Sequence, residues 1–271
     1  MIEFKNVYFQ YPHGGASLKN IDFKVEKGEF VALVGENGAG KSTMLKLING
    51  ILKPINGDVV TAGFNTKNTK ISQIAKHTGF LFQNPDRQIC CQSVKEEIMF
   101  SLNLLNDMTT EEKEKRAEKI INAFLLNPDE NTFAMSRGEK QKTALASALA
   151  SEPEVLILDE PTTGLDYREC TAIMDFVKRL NKEKNITVFM VCHDMEIVMD
   201  YADRVIALAQ GEMVDDDTPK NIFRKKDVLK KAYLLPPQIT ELASLLGGEF
   251  ESCDSAEEIL YVLKKQRKGE L

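Results

Sequence analysis

The chain lacks an apolar run long enough to cross a bilayer as a helix. Such a helix needs about 20 consecutive apolar residues, and the longest runs here, such as Val155-Leu156-Ile157-Leu158, are strand-sized. The opening Met1-Ile2-Glu3-Phe4-Lys5 has no basic region followed by an apolar stretch, which argues against a secretory signal. If the protein serves a membrane, a partner must hold it there. Positive charge is also in deficit: 35 Lys and Arg against 41 Asp and Glu leave a net charge of −6. That balance argues against a broad nucleic-acid surface. Five cysteines (Cys90, Cys91, Cys170, Cys192, Cys253) show neither zinc-like nor redox-like spacing. They read as reduced cytosolic thiols rather than metal ligands. Internal repeats and low-complexity segments are absent. At 271 residues, 43% of them hydrophobic, the chain buries a core without disulfides or a structural metal.

What is present is an alternation of short apolar runs with helical patterns. Val31 to Val34, Gly79 to Phe82, Val155 to Leu158, Ile186 to Val191 and Arg204 to Leu208 read as strands, several with helical periodicity between them. This pattern predicts a mostly parallel sheet with helices on its faces. From about Asn84 to Glu152 strand signal fades. Two helices are expected in this insertion. One starts at a Thr109-x-x-Glu112 capping box and carries Ala117, Ile120, Ile121, Phe124 and Leu125 on one face; the other starts at Ser136 and ends before Pro153. After Gly211 the sequence suggests an acidic turn at Asp215-Asp216-Asp217 and a basic helix from Lys220 to Lys231. A break at Leu235-Pro236-Pro237 and two short helices follow, the last beginning at Ser255-x-x-Glu258.

Gly35-Glu36-Asn37-Gly38-Ala39-Gly40-Lys41-Ser42-Thr43 fits G-x-x-x-x-G-K-[ST] and lies between a predicted strand and a predicted helix. Glycines let the backbone wrap a phosphate chain, and the helix that follows points free N–H groups at the anion. Lys41 then reaches the β- and γ-phosphates, and the Ser42 hydroxyl reaches Mg²⁺. Further on, Val155 to Leu158 ends in two adjacent carboxylates, Asp159 and Glu160. Open α/β sheets place ligands at strand C-termini. Asp159 suits Mg²⁺, directly or through water, and Glu160 suits a general base for an attacking water. Without the phosphate loop upstream, the pair would read as solvated carboxylates at a strand end.

The order of further motifs resembles the ABC ATPase family over nearly all of residues 1–214. Tyr11 precedes the phosphate loop, and Gln83 follows Phe80-Leu81-Phe82. Met135-Ser136-Arg137-Gly138-Glu139 precedes Asp159-Glu160, and Gly164-Leu165-Asp166 and Cys192-His193-Asp194 come after it. The resemblance implies an α/β P-loop NTPase fold of the RecA-like kind. That fold has a mostly parallel sheet, an antiparallel β element, an inserted α-helical subdomain over about 84–152 and a small C-terminal helical extension over 215–271. It implies that Tyr11 stacks on adenine and that Gln83 links Mg²⁺ and water to the helical subdomain. It implies further that Asp166 lies at a dimer seam and that His193 contacts the γ-phosphate. Bland readings stand beside these: Tyr11 as a strand aromatic, His193 as an ordinary packed histidine. At the signature position, where the family has Leu-Ser-Gly-Gly-Gln, only Ser136 and Gly138 match. Ser136-x-x-Glu139 is also a capping box, and both readings hold if that helix end faces the nucleotide of a second subunit. Arg137 is then either a tolerated charge at the seam or the mark of a weakened composite site.

Finer details are most similar to the ATPases of energy-coupling factor importers. They are Gln83-Asn84-Pro85-Asp86-Arg87-Gln88, Tyr201-Ala202-Asp203-Arg204-Val205, and Leu235-Pro236-Pro237-Gln238-Ile239-Thr240 in the tail. That branch implies ATP with Mg²⁺, a second ATPase subunit (identical or homologous), a transmembrane scaffold and a substrate-capturing membrane subunit. The ATPase then sits on the cytoplasmic face of the membrane. Asp86, Glu96 and Glu97 are the candidate acidic contacts for the scaffold. The alternatives are another ABC transporter class or a soluble ABC ATPase. Ribosome-acting members carry two ATPase units, whereas one is visible here. DNA-repair members carry long heptad repeats, and none is sustained here.

Overall fold

The computed structural model describes residues 1–12, 14, 17–105 and 108–268. Its centre is a six-stranded sheet in the order β10-β9-β3-β8-β7-β6. The strands are β3 (Phe30–Gly35), β6 (Thr78–Leu81), β7 (Val155–Asp159), β8 (Thr187–Val191), β9 (Arg204–Ala209) and β10 (Glu212–Asp217). All neighbours run parallel except β10, which pairs antiparallel with β9. Every residue of β3 and β8 is buried, which explains their unbroken apolar runs: a parallel sheet is covered on both faces. Alternation along each strand divides the core in two. Ala32, Val34, Leu158, Met190 and Ala207 face one layer, whereas Val31, Leu33, Ile157, Phe189 and Ile206 face the other.

The second layer is closed by helix α1 (Lys41–Ile48) and by a four-stranded antiparallel sheet, β2-β1-β4-β5. Its strands are β1 (Ile2–Gln10), β2 (Ser17–Val25), β4 (Asn56–Thr61) and β5 (Phe64–Asn65). Phe4 stacks on Phe23 with ring centroids 4.7 Å apart, and Phe23 stacks on Phe189 at 6.0 Å, so one aromatic column joins the two sheets. The first layer is covered by α5 (Arg137–Ala150), α6 (Tyr167–Lys184), α7 (Met195–Tyr201), α8 (Pro219–Arg224) and α9 (Lys226–Ala232). A short α2 (Ile71–Ile74) leads into β6.

The insertion differs from the expected pair of helices. A third, α3 (Val94–Asn103), opens at a reciprocal Ser93–Glu96 capping box and packs with α4 (Thr110–Ala123) and α5 around Val94, Ile98, Leu102, Ala117, Ile121 and Ala146. The capping boxes expected at Thr109 and Ser136 are both formed. Leu125, expected on the packed face of α4, is 93% exposed. The helix ends at Ala123, and Leu125 adopts φ 54°, which turns it away from the apolar stripe.

The acidic segment expected as a turn is instead strand β10. Arg204 on β9 clamps Asp216 through Nε and Nη2 at 2.5 and 2.6 Å, and Lys225 holds Asp215 and Asp217 at 2.8 and 2.7 Å. Three carboxylates are thereby tolerated on an edge strand. The basic stretch expected as one helix is split at Lys225 into α8 and α9. Beyond Leu235-Pro236-Pro237 follow α10 (Gln238–Leu246) and α11 (Ala256–Lys268), which enclose a small separate core of Ala243, Phe250, Cys253 and Ile259. The Ser255 hydroxyl accepts from Glu258 N at 3.2 Å, as its spacing suggested.

Because Phe189 is wholly buried between the two sheets, Phe189→Ala should destabilise the protein by about 3–5 kcal/mol. Denaturant unfolding monitored by circular dichroism measures this. A loss below about 1 kcal/mol would mean that the column does not join the layers.

Candidate active site

The site forms where β3, β7 and β8 reach their C-terminal ends. β3 runs into the phosphate loop, whose Gly35 adopts φ 148°; a Cβ there would meet the Leu208 carbonyl oxygen at 2.1 Å. Gly40, at φ 112°, is the residue on which α1 begins. Only glycine satisfies either position without displacing backbone or the Leu18 side chain. Asn37 and Gly38 stand exposed at the tip, Ala39 and Thr43 are buried beneath, and Ser42 is exposed on the first turn of α1.

Lys41 is 93% buried, at 7% relative exposure. Its Nζ donates to Gly35 O at 2.7 Å and Glu36 O at 2.9 Å, so the ammonium folds over the loop it follows. Burial lowers its pKa, and the charges of Glu160, Asp159 and Glu36 oppose that shift. Asp159 shows the converse. Burial and then the Glu160 charge push its carboxyl from 3.8 up to about 6, against a counteracting pull from Lys41. The two carboxylates together carry more negative charge than Lys41 offsets.

Glu160 is the point of convergence. It adopts φ 49°, and its N–H donates to Val191 O on the neighbouring β8 at 2.9 Å, which fixes the turn after β7. Gln83 Nε2 donates to Oε2 at 2.5 Å, the Thr163 hydroxyl donates to the same oxygen at 3.1 Å, and His193 Nε2 lies 2.8 Å from Oε1. Gln83 arrives from the loop after β6 and His193 from the loop after β8, so two strand ends aim at the carboxylate of a third. Thr163 was not foreseen, because a lone hydroxyl after Asp159-Glu160-Pro161 carries no sequence signal of its own.

The remaining predicted residues take no part in this group, and Arg137 alone of those that follow reaches one of its members. Tyr11 is half-buried, packs edge-on against Phe9 at 4.9 Å, and leans on the layer that contains Ala39 and α1. Ser136 caps α5: its Oγ accepts from Glu139 N at 3.3 Å, while Glu139 Oε2 accepts from Ser136 N at 2.8 Å. Those bonds from Ser136 hold the Glu139 carboxyl below its usual range. Arg137 lies against Gly164, and its Nη2 donates to Gln83 O at 3.5 Å, so the guanidinium turns toward its own chain. Gly138 leaves room for the Glu169 carboxylate, which a Cβ would meet at 1.9 Å. Asp166 caps α6 in a reciprocal box with Glu169.

Of the acidic residues expected to meet a scaffold, Glu97 is 2% exposed and accepts from the N–H groups of Cys90 and Cys91, so it cannot face a partner. Glu96 is committed to the Ser93 cap, and Asp86 pairs with Lys140 at 2.7 Å. An unforeseen wall comes from the tail. Leu235, Pro236 and Pro237 line a cavity of about 610 Å³ with Glu160 and His193, and Gln238 N donates to Glu196 Oε1 at 2.7 Å.

Asp159 yields a pH prediction. Its folded carboxyl holds a proton more tightly than the unfolded chain does, so its contribution to stability is lost as pH rises from 3.8 through about 6. Asp159→Asn should raise the melting temperature of the nucleotide-free protein above that window, and the gain should vanish below it. Equal melting curves at every pH would show that the carboxylate is not desolvated.

A family model described as ABC transporter matches residues 18–163. The chain is 42% identical over 252 residues to an energy-coupling factor transporter ATP-binding protein of Methanocaldococcus jannaschii, covering 91% of this chain and 89% of that protein. A putative ABC transporter ATP-binding protein of Caldanaerobacter subterraneus is 40% identical over 94% of this chain, which spans only 45% of that relative's length. Among solved structures, cbiO1 from Clostridium perfringens, part of the ABC transporter complex cbiONQ, superposes with a TM-score of 0.76 at 33% identity, covering 90% of this chain and 98% of that one. With the phosphate loop, the paired carboxylates and the converging glutamine and histidine already in place, the chain belongs to the ABC transporter ATPase family, whose members hydrolyse ATP.

Proposed function

We propose that this chain powers an importer of the energy-coupling factor type, for a transition-metal ion or a vitamin. Two ATPase subunits, identical or homologous, would clasp ATP between the phosphate loop of one and the Ser136 helix end of the other. The convergence of Gln83 and His193 on Glu160 beside Lys41 carries the hydrolytic part of this reading. The importer part is supported by likeness to the archaeal energy-coupling factor protein and to cbiO1. The assembly would include a transmembrane scaffold and a substrate-capturing membrane subunit, with this chain on the cytoplasmic face. No helix among the described residues is long and apolar enough to cross a membrane.

The side chains divide the chemistry. Lys41 and the loop N–H groups would bind the β- and γ-phosphates, and Tyr11 would stack on adenine. Burial and then the Glu160 charge raise the Asp159 pKa, a setting that fits a divalent cation, which Ser42, Asp159 and Gln83 would hold. Bound Mg²⁺ would neutralise charge on the phosphate oxygens. Glu160 would take the proton of the attacking water as the new O–P bond forms and the bond to the leaving diphosphate oxygen breaks. His193 would contact the γ-phosphate while holding the Glu160 carboxylate in line. Gln83 and Thr163 occupy Glu160 Oε2, whereas Oε1 has His193 as its one recorded partner and would keep a lone pair for an incoming water. Gln83 opens the helical insertion, so a shift of Gln83 on nucleotide binding would pass the state of the nucleotide to the subdomain that meets the membrane partner. Arg137 folds its guanidinium toward Gln83, so the N–H groups of Arg137 and Gly138 would be left for the nucleotide of a second subunit, with Asp166 at the same seam.

Glu160→Gln retains an acceptor for Gln83 but loses the base. Hydrolysis should fall about 10²–10⁴-fold, while ATP still drives a stable dimer with the cognate partner, followed by light scattering and phosphate release. Hydrolysis at the wild-type rate would remove Glu160 from its assigned role.

A further inference from the structure

The segment between Gln83 and α3 holds a cluster that hydrolysis does not use. Cys90 and Cys91 lie side by side with their sulfurs 4.0 Å apart. The Glu97 carboxylate reaches back from α3, with Oε2 accepting from Cys90 N at 2.9 Å and Cys91 N at 3.0 Å. One donor atom from each of the three side chains lies within 4.8 Å of the others. We infer that Cys90, Cys91 and Glu97 form a site for a thiophilic divalent cation of the zinc–cadmium class.

Geometry favours a cation over a disulfide. Two thiolates on a tetrahedral ion with bonds of about 2.3 Å stand about 3.8 Å apart, close to what is found, whereas a disulfide requires about 2.0 Å. Charge points the same way. Glu97 is only 2% exposed and has no ion-pair partner among the described residues. Two backbone N–H groups offset part of the cost of burying that carboxylate, and a divalent ion would offset the rest. Binding would release the thiol protons as two metal–sulfur bonds form, and affinity would therefore rise with pH. The backbone is already fixed for ligation: Thr132 Oγ1 donates to Cys91 O at 2.5 Å, and Thr132 N donates to Gln92 O at 3.0 Å. Cys90 is exposed, which leaves an entry path. The sequence concealed the site because its third ligand comes from a helix that its short pattern did not reveal.

Titrating Cd²⁺ into the full-length, reduced protein tests this. We expect thiolate-to-cadmium ultraviolet absorption that saturates at one ion per chain, with proton release and tighter binding as pH rises. Cys90→Ser/Cys91→Ser should abolish the absorption. Glu97→Gln, which can still accept from both N–H groups, should keep the absorption and weaken binding about 10–100-fold. Absent absorption in the wild type would overturn the site. So would undiminished absorption in the double variant, which would put the ion on other cysteines, or unchanged affinity in Glu97→Gln, which would remove the carboxylate from the ligand set.

Discussion

Lys41, Asp159 and Glu160 lose most of their water together at the C-terminal edge of the parallel sheet, and the site follows from that shared desolvation. Burial lowers the Lys41 pKa and raises that of Asp159; Lys41 and Asp159 each ease the other's cost, whereas the Glu160 charge adds to that of Asp159. An anion of high charge with its own cation satisfies all three at once, because it gives the ammonium a partner and the carboxylates a counter-charge. The sheet keeps the groups in register. β3 carries the phosphate loop, β7 ends at Asp159, and β8 lies between them and accepts the Glu160 N–H through Val191 O.

The sheet core and the helical insertion meet at Glu160. His193 belongs to the core, since Val191 and Cys192 before it are buried. Gln83 belongs to the loop that opens the helical insertion, which has its own apolar core around Val94, Ile98 and Ala146. One carboxylate therefore joins two bodies through hydrogen bonds, and such contacts are more easily exchanged than packed side chains. The tail adds a third element, because Leu235 to Pro237 stand beside His193.

Much of this was legible in the residues. The phosphate loop needs two glycines, a lysine and a hydroxyl at fixed spacing, and a mere Gly-rich turn does not require that set. The capping boxes at Thr109 and Ser136 were equally local. What escaped depends on contacts far apart in sequence. Asp215 to Asp217 resemble a turn until Arg204 and Lys225 are seen to neutralise them, and Leu125 fits the stripe of α4 only if the helix continues past Ala123. Glu97 looked like a surface charge because nothing near it in sequence reveals that it folds under Cys90 and Cys91. Thr163 and the Leu235–Pro237 wall reach the site only through tertiary packing.

Calorimetric titration of Mg-ATP into the wild-type and Lys41→Ala chains addresses the central claim most directly. The shared-desolvation account predicts saturable binding to the wild type and a loss of at least about tenfold in the variant, or about 1.4 kcal/mol. Equal affinities would mean that the buried ammonium is not directed at the triphosphate.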